Sequence, residues 1–412
     1  MQTTRPVRLW AGRGLALAGL ALLALNLRSA VAVFSPIVGA IDADIPLTPT
    51  LVGVIGMLPP VCFAKFGLLA PAVARRLGLE LTVVVALAAM LVGHGIRGLS
   101  DSFEVFAAAT AVTLAGMGFG NVLLPPIIKR YFPDRIGVIT SMTTVLLSFS
   151  TGVPALLAAP ISDTAGWRVA IASWGLLAVF ALVPWFALLA QHRRGVAENG
   201  TPELAKPTTG AIGRTWRSPI AWALVVIHAA SSFNAYAMFA WLPQVLVDNA
   251  GQSIAGAGAL LSLYAFMGLP AAIVVPMLAV RMRNVGVLVQ MGVAFFVIGY
   301  TGLLMMPTVL PWLWVAFAGL GTLLFPVVLV LINLRTRTQL GSVKLSGFSQ
   351  GIGYTIGAFG PLLFGLLHET SGGWQLPMVM LFGMVLAAAG AGLYLAKPRM
   401  LEDSWLPRRV EA

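Results

Sequence analysis

Residues 191–218 read QHRRGVAENGTPELAKPTTGAIGRTWRS. The stretch is polar and rich in Gly, Pro and Thr, the composition of a linker and not of a folded domain. Apolar segments lie on both sides of it. Six precede it, at about 14–40, 50–74, 80–99, 103–128, 136–160 and 169–190. Six follow it, at about 219–247, 253–280, 285–306, 310–333, 343–367 and 375–396. A bilayer core is crossed by about 20 apolar residues in a helix, so each segment is a candidate span. The expected architecture is an all-α membrane protein with twelve transmembrane helices in two six-helix bundles. The bundles occupy residues 1–190 and 219–396, joined by a 191–218 linker and followed by a 397–412 tail.

Composition agrees. Of 412 residues 58% are hydrophobic and 10% charged, with mean hydropathy +0.91. A soluble fold cannot cover its surface from so small a polar supply. Cys62 is the one cysteine, and His94, His192, His228 and His368 are scattered, so neither a disulfide nor a metal cluster is expected. No cofactor is expected, and no nucleophile–base constellation suggests an enzyme.

The net charge is +12. Of the 26 Lys and Arg residues, 22 fall in the tails, the linker and the loops on its side of the bilayer. Arg97 and Arg168 fall on the opposite side, and Arg28 and Lys65 within spans. By the positive-inside rule both termini and the linker are cytoplasmic, in a multi-pass protein of the cell inner membrane. That bias accounts for the charge without nucleic acid. Ala30-Val31-Ala32 has the form of a signal-peptidase site, but the apolar run continues past it, so it reads as part of the first span.

The halves echo each other. PALLAAPISDTAGW (154–167) and PLLFGLLHETSGGW (361–374) end spans 5 and 11, each with Pro 13 residues before Trp. Pro71 and Arg76 in span 2 match Pro276 and Arg281 in span 8, and Pro125 in span 4 matches Pro326 in span 10. A duplicated six-helix unit with a midplane site is the major facilitator architecture.

Several segments resemble the cyanate transporter-like family of that superfamily, which includes nitroimidazole transporters. They are Asn26-Leu27-Arg28, GMGFGNVLLPPIIKRYFPDRIG (116–137), FAWLPQVLVDNAG (239–251), SGFSQGIGYTIGAFGPLLFG (346–365) and the closing GGW at 372–374. The resemblance runs from about Leu9 to Leu395. It implies a secondary transporter of a small anion or small polar organic solute; the alternative is a broad-specificity drug or metabolite exporter of the same fold. One departure is the loop after span 2, from Gly67 to Gly78, which lacks the acid of the general superfamily pattern. That puts the usual gating salt bridge in doubt.

None of the 14 acids falls deep in a span. Two cations do. Arg28 lies 14 residues from Asp42 and 15 from Arg13, about 21–22 Å along a helix from either. Lys65 lies 10 residues above Arg75, about 15 Å in. A charge at that depth must face a polar cavity or a partner. A guanidinium forks two donors onto a planar anion at any physiological pH, so Arg28 is the principal candidate for substrate binding. Further candidates are Asn26, Asn121, His228, Asn234, Tyr236, Gln350 and Tyr354, with Tyr264 beside them. Gln350 and Tyr354 share a helix face. His228 is the midmembrane group that titrates near neutral pH, hence the candidate for proton coupling. The expected partners are a small-molecule substrate, the lipid bilayer and protons or a counter-anion, with the chain a monomer. Gly116, Gly118 and Gly120, and Gly351, Gly353 and Gly357, form no dinucleotide fingerprint and read as close helix contacts.

Overall fold

The computed structural model describes residues 13–199, 215–282, 284–337 and 339–404. The linker centre, Arg5, Arg8 and the end of the tail lie outside the described residues. Among the described residues there is no strand, and twelve helices are long and apolar enough to cross a membrane. They are α1 Gly14–Ala32, α2 Pro49–Leu77, α3 Leu79–Leu99, α4 Phe103–Tyr131, α5 Val138–Ala165 and α6 Trp167–Gln191. After the linker come α7 Pro219–Ala250, α8 Ile254–Ala279, α9 Gly286–Met305, α10 Pro311–Leu334, α11 Lys344–Ser371 and α12 Gln375–Leu395. Large apolar side chains such as Leu68, Val183 and Leu393 stand exposed on the surface, as a lipid-facing wall requires.

Four of these helices break: α6 is interrupted between Ala172 and Gly175, and in the other three the cause is visible. In α8 regular structure stops at Phe266 and resumes at Gly268. In α10 it stops at Gly321 and resumes at Leu324. A proline removes the N–H to residue i−4 and clashes with that carbonyl. Pro270 and Pro326 stand four residues after Phe266 and Thr322, which places both breaks. In α1 the cause is different. Helix ends at Asn26 and restarts at Ser29. The backbone N–H of Arg28 donates 2.9 Å to the Ser150 hydroxyl of α5 in place of a carbonyl of its own helix. The single rod expected over 14–40 is therefore a jointed one, followed by a 3-10 turn at Ser35–Ile37 and a short helix Val38–Asp42. Ala30 and Ala32 are buried within it.

The two halves repeat one packing scheme. In the first, α3 packs on α4 and α6, α1 on α5 and α6, and α2 on α4; in the second, α9 packs on α10 and α12, α7 on α11 and α12, and α8 on α10. A hydrogen bond is repeated too. The Trp167 indole donates 2.9 Å to Asp44, and the Trp374 indole donates 3.1 Å to Asp248. Each joins the start of a half's last span to the segment after, or the end of, its first. The Trp167 indole, and then the Arg168 guanidinium beside it, hold the Asp44 carboxyl below the usual carboxylate range.

The loop after α2 is a single residue, Gly78, at φ +83°, a conformation only glycine takes easily. The acid next to it, Glu80, is fully buried and accepts 2.7 Å from the Tyr131 hydroxyl and pairs at 3.3 Å with Arg130. Both of these partners lie on α4, so this acid ties α3 to α4 within one half.

The halves meet through α2 with α11 and α5 with α8. The contacts between them lie at the end of the spans away from the linker, the far end. Thr50 at the start of α2 donates from both its N–H, at 3.2 Å, and its hydroxyl, at 2.5 Å, to Glu369 of α11. The Ser35 hydroxyl donates 2.7 Å to the Ala240 carbonyl of α7. Gly53 and Gly56 abut Pro361 and Leu362, and Gly258 abuts Ala155. On the linker side of Arg28, Gly347 and Gly351 of α11 face open space.

Candidate functional site

The joint in α1 presents Arg28 between the halves. Its guanidinium carbon stands 4.9 Å from the ring centroid of Phe63 on α2. It is half-buried, and its charge acts on the hydroxyls of Tyr236 on α7 and Tyr354 on α11. Those two rings are 6.4 Å apart. Among the described residues no carboxylate pairs with Arg28 and no acceptor bonds its guanidinium. An arginine remains charged in any such setting, and uncompensated charge at membrane depth is costly. The arrangement is a cation on the ring of Phe63 in the first half, with Tyr236 and Tyr354 of the second half within electrostatic reach. It can accept a planar anion on the guanidinium fork or a polarised ring against the aromatic faces.

His228 adjoins this group. Its ring is fully buried, 4.7 Å from Tyr354 edge to face and 5.6 Å from Phe325 of α10. Neither ring nitrogen has a hydrogen-bond partner among the described residues. Gly353 makes room for it, since a Cβ there would collide with the imidazole; Gly357 does the same for Ser232. Gly353 and Gly357 are thus packing glycines between α11 and α7. Gln350 lies one turn toward the linker, half-buried, its amide donating 2.6 Å to Ser346.

Other candidates stand apart. The amides of Asn26, Asn121 and Asn234 donate to Leu22, Met117 and Ala230, one turn back on their own helices, at 2.8, 3.0 and 2.7 Å. Asn234 also accepts 2.9 Å from the Tyr300 hydroxyl, inside the second half. Tyr264 is buried with its ring 5.4 Å from Phe239. Lys65 is exposed on α2, its amine 5.9 Å from the Phe66 ring, on the linker side of the Arg28 group. A small cavity lies between Arg28 and the far end, lined by Ala30, Phe34, Gly56, Thr110, Tyr236 and Ala240 among others. It leaves about 20 Å³ for water centres, room for one or two waters.

Two residues escaped the sequence reading. Ser150 carried no signal, because its role is to accept a backbone N–H from another helix. Arg97, counted as a residue of the far surface, is fully buried. Its place in the last turn of α3 hid the inward direction of its side chain. Arg28 is therefore not the one arginine of the first six spans directed inward.

The family profile described as Major Facilitator Superfamily matches residues 17–357. The 2-nitroimidazole transporter of Escherichia coli is 30% identical over 383 residues, covering 91% of this chain and 94% of that one. The cyanate transport protein CynX of the same organism is 26% identical over 357 residues, covering 86% and 90%. The solved structure of a D-xylose-proton symporter superposes with a TM-score of 0.73 at 15% identity, covering 95% of this chain and 98% of that one, a likeness of fold. Twelve spans in two like-packed halves, the profile and the relatives agree: the chain belongs to the major facilitator superfamily and is a membrane transporter, not an enzyme.

Proposed function

We propose that the chain is a secondary transporter that moves a small anion or small polar organic solute, cyanate-like or nitroimidazole-like, by alternating access. The observation that carries this reading is Arg28, a guanidinium between the halves with no carboxylate partner among the described residues, set over Phe63 and within electrostatic reach of Tyr236 and Tyr354. A solute that fills the fork touches rings of both halves at once, so its binding favours their closure. The names of the two relatives support the same solute class.

The setting follows from charge. With 22 of 26 basic residues on the linker side, the linker and both termini lie in the cytoplasm of an inner-membrane protein. The halves are residues 1–190 and 219–396, and the chain works as a monomer. The far end is then external, and the structure is closed outside. A maleimide that cannot cross the membrane is expected not to label Gly200→Cys in intact cells; labelling there would invert the topology. His228, buried beside Tyr354 with both nitrogens free of partners among the described residues, is the proton site if transport is coupled to protons.

Reconstitution into liposomes tests the function. Cyanate, nitrate and 2-nitroimidazole would be offered with and without a pH gradient, as radiolabel or current. Saturable uptake of a small anion is expected. Accumulation driven by the pH gradient points to proton coupling, and counterflow to exchange. Transport of bulky neutral drugs but none of these solutes would favour the exporter reading.

A further inference from the structure

The two seams between the halves differ at the far end. On the α2–α11 side Glu369 accepts two hydrogen bonds from Thr50. The repeat that sets Pro154 against Pro361 and Trp167 against Trp374 sets Ser162 of α5 against Glu369 of α11. Serine does not reach across as glutamate does, and the Ser162 hydroxyl bonds nothing among the described residues. A cavity stands there instead. Its walls are Pro36 and Ile37 of the 3-10 turn after α1, Ala159 of α5, Pro243 and Val247 of α7 and Ala257 of α8. It leaves about 150 Å³ for water centres, enough to admit one aromatic ring. Deeper in, the seam closes: a Cβ at Gly258 would stand 2.8 Å from the Ala155 carbonyl oxygen and 3.5 Å from the Pro36 Cβ.

Two exposed polar side chains border the same cavity, Asp163 from the first half and Gln244 from the second. Neither has a hydrogen-bond or ion-pair partner among the described residues. Arg168, five positions beyond Asp163, is bound to Asp44 and Asp101 instead. An unpaired carboxylate at the edge of an apolar chamber complements a ligand with one positive donor and an apolar body. A metal ion fits poorly, since hard cations take six or more oxygens and a single carboxylate lines this cavity. Water can answer the carboxylate but gains nothing from the apolar walls.

We propose that this cavity is a binding site for a small organic cation, an ammonium group carried on a single ring. The ammonium pairs with Asp163 and donates to the Gln244 amide oxygen, and the ring fills the space between Pro36 and Val247. The walls come from both halves, so an occupant holds them together at the far end. The site is separate from the Arg28 group and stands whichever solute the chain carries.

Thermal unfolding of the purified full chain tests it. Benzylammonium chloride is the probe, with sodium chloride holding the ionic strength and benzyl alcohol as the neutral counterpart. Benzylammonium is expected to raise the Tm of the wild type saturably. Asp163→Asn should raise the half-saturating concentration at least about threefold, the scale of an ion pair open to water. Val247→Phe, which fills the chamber, should remove the response. Amide hydrogen exchange in the wild type should slow with the cation bound, in residues 36–40 of the first half and 243–257 of the second. No saturable rise in wild type, an equal rise with benzyl alcohol, or an unchanged half-saturation in Asp163→Asn overturns the proposal. So does a full response in folded Val247→Phe, or protection confined to one half. Should Val247→Phe fail to fold, Asp163→Asn, whose side chain is exposed, and the exchange pattern decide.

Discussion

Arg28→Ala is expected to lose high-affinity solute binding, by about 100-fold or more. A hydrogen bond to a charged group contributes about 1.5–3 kcal/mol, and the fork supplies two. Every 1.4 kcal/mol is about tenfold in Kd. Arg28→Lys keeps the charge and loses the fork, so about a tenfold loss is expected there. The measurement is solute binding to purified, monodisperse protein, with thermal unfolding run beside it. That control matters because the Arg28 backbone is also the joint of α1, held by Ser150. Alanine leaves the backbone bond in place, so the fold should survive. Near-normal affinity in folded Arg28→Ala would remove the binding role and make a neutral-solute exporter the better account.

Gly56→Leu is expected to stop transport while leaving the protein folded. A Cβ at Gly56 would stand 2.7 Å from the Pro361 Cβ and 2.9 Å from the Ala240 Cβ. At neighbouring Gly53 it would meet the Leu362 Cα at 2.9 Å. These obstacles are backbone or backbone-fixed atoms, which cannot rotate away. Overpacking of this kind costs about 1–3 kcal/mol, enough to move a two-state equilibrium by about 5- to 150-fold. The cost falls on the state in which α2 and α11 touch at the far end. The halves should therefore rest open there, and turnover should fall by at least about tenfold. Phe239→Cys, at the cavity wall, reads the change in a Cys62→Ser background: an impermeant reagent should modify it from outside in Gly56→Leu and not in the parent. Unchanged labelling and turnover would mean that the far-end contact is not part of the cycle.

Much of this fold was legible because membrane burial writes itself in composition. Apolar runs of span length, a polar linker and one-sided charge fix twelve helices and their division, and lipid leaves a helix few alternatives. The Pro-to-Trp spacing of 154–167 and 361–374 pointed to the duplication that the Trp167–Asp44 and Trp374–Asp248 bonds make concrete. Arg28 stood out because its depth and charge conflict. The joint at Arg28 was not legible, since no proline makes it; it depends on Ser150, 122 positions away. The asparagines are ambiguous in sequence for a related reason. A polar residue at midmembrane depth looks the same in sequence whether it faces a cavity or bonds one turn back on its own helix, as Asn26, Asn121 and Asn234 do.

The Ser150 hydroxyl that holds Arg28 belongs to the helix that meets the second half. One residue before it, Phe149 packs edge to face on Phe266 of α8 at 5.2 Å, and Gly152, two residues after it, abuts the same ring. Phe266 is itself the last residue before the α8 break. Arg28 and the seam between the halves thus share a short lever of α5. On the role proposed for Arg28, such a lever would carry free energy in both directions: what a solute gains at Arg28 by shifting Ser150 would be returned when the seam opens. Affinity and closure would then be one equilibrium quantity read at two places.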